Sequence, residues 1–182
     1  NIKAWAAAAK AGYTLPTPTK VRVGVEYDFA SGVKDGTNND IKTFSNLFPT
    51  NHDKLGTMDL QAWRNVKAFN LNAAADVTEK VTLSAGWWNF KLADKHDAWY
   101  SAATWNTSPT DALHTASSTN TQTNVGNEVD LVAAYKYNSA VTAHLGYSRF
   151  FAGKFIKERV DAVANSDKQD ADWAYMMLTA NF

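Results

Sequence analysis

A strict alternation of apolar and polar residues recurs seven times along this chain and limits what it can fold into. From Lys20 to Ala30 the odd positions are Val21, Val23, Val25, Tyr27 and Phe29; the even ones are Lys20, Arg22, Gly24, Glu26, Asp28 and Ala30. Successive side chains of a strand point to opposite faces, whereas a helix repeats about every 3.6 residues. The segment therefore reads as a strand with one apolar and one charged face. The same pattern fills Phe69 to Val77, Val81 to Phe90, Glu128 to Tyr137, Val141 to Ser148 and Asp172 to Phe182. An alanine-rich stretch from Lys3 to Leu15 completes the set, with Trp5, Ala7, Ala9, Ala11, Tyr13 and Leu15 on its apolar face.

The connections alternate in length. Pro16 to Thr19, Thr78 to Lys80 and Asn138 to Ala140 read as tight turns, so each joins an antiparallel hairpin. Ser31 to about Gly56, Ala93 to Asn124 and Ala152 to Ala171 are long and polar, which is uncommon in a compact soluble domain. Short turns at one end and long loops at the other mark a transmembrane β-barrel, with the short turns periplasmic. The aromatics fit: Tyr27, Phe29, Trp87 and Tyr147 fall at the long-loop ends of the apolar faces. Tyr13, Tyr135, Tyr137 and Phe182 fall near the short-turn ends, as two membrane interfaces would select.

Composition removes other classes. Lysine plus arginine (18) balances aspartate plus glutamate (18), so nothing electrostatic points to nucleic acid. Cysteine is absent, which excludes disulfides and thiolate metal sites. No apolar run approaches the roughly 20 residues of a membrane-spanning helix. The longest, Ala4 to Ala9, is closed off by Lys3 and Lys10.

The fold class expected is all-β, an antiparallel transmembrane β-barrel. Seven strands is an odd number, and bacterial single-chain barrels normally have an even one. The whole of 1–182 is thus expected to be a single barrel segment, the C-terminal part of a larger, even-stranded barrel. The chain opens on Asn1 without initiator methionine or signal peptide, which fits a processed protein or a fragment. Asp97 to Trp105 is a candidate for one further strand, but adding it alone would disturb the loop alternation.

Several segments carry a family likeness. Phe44 to His52 reads FSNLFPTNH, followed by Gly56 and by MDLQAWRNV at Met58 to Val66. Leu92 to Tyr100 reads LADKHDAWY, Val125 to Leu131 reads VGNEVDL, and Gly146 to Gly153 reads GYSRFFAG. With the closing strand, this set resembles the C-terminal half of the alginate-export family of outer-membrane porins, over roughly Val21 to Phe182. The resemblance implies a large monomeric barrel in a Gram-negative outer membrane, whose named member exports an anionic polyuronate through a lumen rich in arginine and lysine. Here the expected lumen set is mixed. Lys10, Lys20, Arg22, Lys136 and His144 stand against Glu26, Asp28, Asp76, Glu128 and Asp130, a departure from a strongly electropositive conduit.

Charges on a lumen wall set which ions or polymers enter. The alternative for the same residues is pairing of opposite charges across neighbouring strands, which merely stabilises the wall. The His52–Asp53 and His96–Asp97 pairs lie in long loops and lack a third convergent partner, so loop packing or capping is their expected role. Asp35 to Asp40 reads DGTNND, without the spacing or terminal glutamate of an EF-hand, and is expected to be a turn-rich loop. Phe44, Leu47 and Phe48 are too apolar for a freely solvated loop, so 44–52 is expected to be ordered in or over the barrel mouth. The expected function is passive passage of small or polymeric, possibly anionic, solutes, with no cofactor and no catalysis. The chain carries no HExxH, GxSxG or P-loop. Expected partners are outer-membrane lipid, the solute or polysaccharide in the lumen, and the barrel-assembly machinery, which would read Phe182. The rivals are a barrel serving as scaffold or sheath for partner proteins, and a soluble β-sandwich or ligand-binding barrel.

Overall fold

The computed structural model describes residues 1–34, 40–46, 54–100, 112–160 and 170–182. Seven long strands form one antiparallel sheet: β1 (Ala6–Thr14), β2 (Arg22–Ala30), β3 (Val66–Asp76), β4 (Val81–Leu92), β7 (Asn124–Lys136), β8 (Val141–Ala152) and β9 (Ala171–Ala180). Between β4 and β7, a two-residue β5 (Trp99–Tyr100) pairs with β6 (Ala112–His114) outside this sheet. Of the candidate further strand, Asp97 to Trp105, only Trp99–Tyr100 is strand among the described residues, and it belongs to this small pairing; 101–105 lie outside the described residues. One short helix, α1 (Lys154–Val160), follows β8, and no periodicity announced it. Every neighbour in the sheet is the next long strand in sequence, and the sheet is not closed: β1 and β9 are its edges.

The long strands have 9 to 13 residues, the length a tilted strand needs to cross a bilayer. Short turns are built by side-chain capping. The Asn138 side-chain amide oxygen accepts from Ala140 N and Val141 N at 2.8 Å, and Thr78 Oγ1 accepts from Lys80 N and Val81 N. Such Asx and Thr turns let the chain reverse within three residues. The first turn is tied by Lys20 N to Thr17 O, and Lys20 has φ 45°. Lys20 therefore belongs to the turn rather than to the strand, and β2 begins at Arg22. Likewise β9 stops at Ala180, and Phe182 lies exposed beyond it.

Register sorts the residues into two faces as the alternation predicted. Tyr27 pairs Phe69, Leu71 pairs Trp87, Trp87 pairs Val129, and Leu131 pairs Tyr147, all on one outer face. That face is exposed. The inner face carries the buried core, but only in its long-loop half. There Ala30, Val66, Ala68, Trp88, Phe90, Leu92, Phe150 and Ala152 pack against Leu55, Trp99, Phe155 and Ile156 from the loops. Trp88 and Phe90 stack with ring centroids 5.7 Å apart, and Trp99 stacks on Phe150 at 6.4 Å. The long loops thus fold back onto the inner face and supply the second layer that a half-apolar sheet needs.

Candidate functional site: the inner face and its inturned loops

The inner face is polar where the loops do not fill it with apolar side chains. Two carboxylate pairs lie on it two residues apart, Glu26 with Asp28 on β2 and Glu128 with Asp130 on β7. One register row runs Glu26, Asn70, Trp88, Glu128; the next runs Gly24, Asn72, Gly86, Asp130. The acids therefore bracket an amide-rich floor, where Asn72 Nδ2 donates to Asn70 Oδ1 at 2.5 Å and Asn70 Nδ2 to Trp87 O at 3.2 Å. A cavity of about 290 Å³ opens here, lined among others by Glu26, Thr57, Asn70, Asn72, Ser84 and Asp130.

The acids hold a loop. Gly56 lies directly over Glu128, its φ of +84° in the region that favours glycine. The turn that follows places Met58 N to donate to Glu128 Oε1 at 2.9 Å. Thr57 Oγ1 donates to Asp130 Oδ1, which also accepts from Ser148 Oγ at 2.6 Å. Residues 56–58 are thereby pinned across β7 and β8. This gives Glu128 Oε1 and Asp130 Oδ1 the hydrogen bonds that buried polar atoms need, while Glu128 Oε2 has none among the described residues.

A second hub ties the long loops to one another. The Asp97 carboxylate, 2% exposed, accepts from four donors. Val33 N and Thr43 Oγ1 reach Oδ2 at 2.9 and 2.6 Å; Ala98 N and the Tyr100 hydroxyl reach Oδ1 at 2.7 and 2.8 Å. Burial, and after it the Asp97 charge, pushes the Tyr100 hydroxyl above its ordinary value of 10.0. Arg64 lies 3.9 Å over the Tyr100 ring. Asn65, fully buried, donates to the carbonyls of Asp94 and Ala98. Trp99 Nε1 donates to Gln61 Oε1 at 2.9 Å, and Phe44 packs edge-on against Trp63 at 5.7 Å. The role expected for His96–Asp97, loop packing, is what Asp97 performs; His96 Nδ1 sits 3.2 Å from Lys34 O.

Of the residues read as lumen-lining, Arg22, Glu26, Asp28, Asp76, Glu128, Asp130, Lys136 and His144 fall on the inner face, with Lys20 in the turn below it. Glu26, Asp28, Glu128 and Asp130 are buried in the long-loop half. Arg22, Asp76 and Lys136 are exposed in the short-turn half, and His144 is half-buried. Cross-strand ion pairing of the kind weighed for this wall occurs at Lys10 and Glu26, 2.5 Å apart. Asp76 instead accepts from Thr82 Oγ1 at 2.7 Å. Asp40, in the first long loop, pairs with Lys3 at 2.6 Å, and this ammonium holds its carboxyl below the ordinary 3.8. The rest of the DGTNND segment, the His52–Asp53 pair, and Leu47 and Phe48 lie outside the described residues.

Sequence reasoning missed Gly56, Thr57, Asn65, Asn70 and Trp88. One signal was available for Trp88, Phe90 and Phe150: they put aromatics on the polar side of the alternation at long-loop ends. There the apolar side chains of the loops cover the inner face.

Residues 1–169 match the alginate export family. The chain belongs to that family. The match begins earlier than the resemblance read from Val21 onward and stops before β9 begins. No curated protein matches the chain. The alginate export family is one of outer-membrane β-barrels and of transport proteins, and the antiparallel sheet here is that architecture, open between β1 and β9. No helix among the described residues is long and apolar enough to cross a membrane, which does not bear on strands.

Proposed function

We propose that this chain forms part of the wall of an outer-membrane channel, with solute passing along the inner face of the sheet. The observation that carries this reading is the distribution of charge. Across the outer face, from the register row of Val23, Ala73, Ala85, Leu131, Tyr147 and Ala174 to the short turns, every strand position is apolar. Charged and amide side chains line the inner face instead, as a water-filled lumen within hydrocarbon requires. Family membership supports export of a polysaccharide as the task.

Lys20, Arg22, Asp76, Lys136 and His144 line the open, short-turn half of this lumen. Glu26, Asp28, Glu128 and Asp130 form a narrower zone where residues 56–58 fold inward. The cations at the short-turn mouth would attract an anionic polymer, and the buried acids further along would not hold it tightly. A conduit needs such a balance, because solute must be able to leave. Residues 1–182 act as one segment of the barrel, with further strands pairing to β1 and β9. Phe182, exposed past β9, is the aromatic that barrel-assembly machinery would read.

The full-length native protein in a planar bilayer tests this. Stepwise ion conductance is the expected result. Replacing Arg22 and Lys136 by glutamine should move the reversal potential toward cation selectivity. A folded, inserted barrel with no conductance would overturn the channel reading in favour of a scaffold or sheath.

A further inference from the structure

Four charged side chains lie on the outer face of the long strands: Lys67, Lys91, Arg149 and Asp172, all at the long-loop end. Two of them neutralise each other. The Arg149 guanidinium is 3.3 Å from Asp172 and 4.0 Å from Asp170, and it lies 5.2 Å over the Phe151 ring. Lys67 and Lys91 have no such arrangement. They are exposed register partners, directly opposite each other across β3 and β4, and no ion pair involves either among the described residues. Like charges directly opposite on one sheet face repel.

The level at which this pair sits identifies what relieves the repulsion. One step toward the short turns, Asn89 Nδ2 donates to Asn127 Oδ1 at 3.0 Å, the first polar row on the outer face. Beside it and below it come Tyr27 and the edge-on pair Phe69 and Trp87, 6.3 Å apart; the Trp87 row ends on the mutually neutralised Arg149 and Asp172, and beyond that row only aliphatic, alanine and aromatic positions follow. Aromatics of this kind sit at headgroup depth, so the lysines stand just outside the hydrocarbon, among lipid headgroups. A phosphate there accepts from both ammoniums at once and converts a repelling pair into a chelating one.

We propose that Lys67 and Lys91 bind the phosphate of a phosphorylated lipid headgroup in the leaflet on the long-loop side. The site rests on the membrane-spanning reading above but not on conduction, since it faces away from the lumen. Arg149 does not share in it, being already neutralised.

The test uses the full-length protein in detergent, with diphosphorylated lipid A as probe and native mass spectrometry as readout. Wild type should retain the lipid, and the Lys67→Gln/Lys91→Gln variant should bind it roughly thirty-fold more weakly, as two lost cations near an anionic surface imply. Lys80→Gln, in a short turn at the far end, should bind as wild type. Dephosphorylated lipid A should bind both proteins at the weakened level. Undiminished binding by the double variant, or equal binding of the dephosphorylated lipid by wild type, would overturn the site. Displacement by equimolar inorganic phosphate would make it a free-anion site and overturn the lipid assignment. Detergent-phase partition of the double variant shows that the barrel reading still holds when the lipid site fails. Absent conductance with intact lipid binding shows that the lipid site stands when the channel reading fails.

Discussion

Gly56→Ala should release the inturned loop without unfolding the sheet, and its magnitude follows from two contacts. At φ +84° a residue with a Cβ is strained by roughly 1–2 kcal/mol. The added Cβ would stand 2.5 Å from Glu128 Oε1, the oxygen that accepts from Met58 N at 2.9 Å. Glu128 is 0% exposed on a strand paired on both sides, so the loop rather than the carboxylate must move. Loss of a hydrogen bond at a buried acceptor costs about 1–3 kcal/mol, partly returned by water. Together, roughly 2–4 kcal/mol of local stability is lost, which accelerates exchange of the Met58 amide about 30- to 900-fold. Hydrogen-exchange mass spectrometry on the full-length protein reads residues 54–65 against β4 and β7. Unchanged exchange at Met58 would refute the pinning of this loop by Glu128. Equal acceleration throughout β7 would mean that loop and wall unfold as one unit. If the loop narrows the lumen, the same variant also conducts more.

Three further outcomes are expected. Asp97→Ala strands four donors that now share one buried carboxylate, and should cost about 3–5 kcal/mol of loop stability; limited proteolysis should then cut in 31–46 and 93–100 while the strands resist. Tyr100 keeps its proton in the folded loop above the ordinary 10.0, chiefly through burial. The loop stability it contributes is complete below about pH 10, where unfolded tyrosine titrates, and declines as pH rises beyond it, because only the unfolded loop readily loses the proton. Tyrosinate absorbance should show a late-ionising group that Asp97→Asn brings to lower pH. Leu145→Arg, on the outer face, should cost about 2–4 kcal/mol in vesicles by urea unfolding, whereas arginine at neighbouring His144 should be tolerated; equal effects would remove the distinction between the faces.

The strands were legible because period two survives wherever one face meets something apolar and the other something polar. Val23, Val25 and Tyr27 against Glu26 and Asp28 could be sorted by parity alone, and the register confirms it. Strand ends were less legible. β4 continues past Phe90 to Leu92 and β8 past Ser148 to Ala152, because their inner positions turn apolar under the loops and the alternation fades. The loop layer was hardest to read. Nothing in MDLQAWRNV states that Met58 N meets Glu128, seventy residues away, or that Gln61 meets Trp99. Side-chain hydrogen bonds to distant backbone have no local period. Asp97 differed only in that a buried hub and a solvated loop acid look the same in one dimension.

Parity also leaves open which face is the inside, and exposure decides it. Val25, Leu71, Leu83, Leu131 and Leu145 belong to strands with neighbours on both sides, yet they are 44%, 44%, 46%, 50% and 63% exposed. Glu128, on the opposite face, is 0% exposed. A water-soluble sheet would cover the leucines and leave the glutamate wet, since each half-exposed aliphatic side chain forgoes on the order of 1 kcal/mol in water. Hydrocarbon removes that deficit row by row and leaves the acids no place except the inner side. There Met58 donates to Glu128 Oε1, and Thr57 and Ser148 donate to Asp130 Oδ1, in place of water. The inturned loop and the apolar exterior are therefore two consequences of one constraint: a sheet whose outer solvent accepts no charge must satisfy its acids from within.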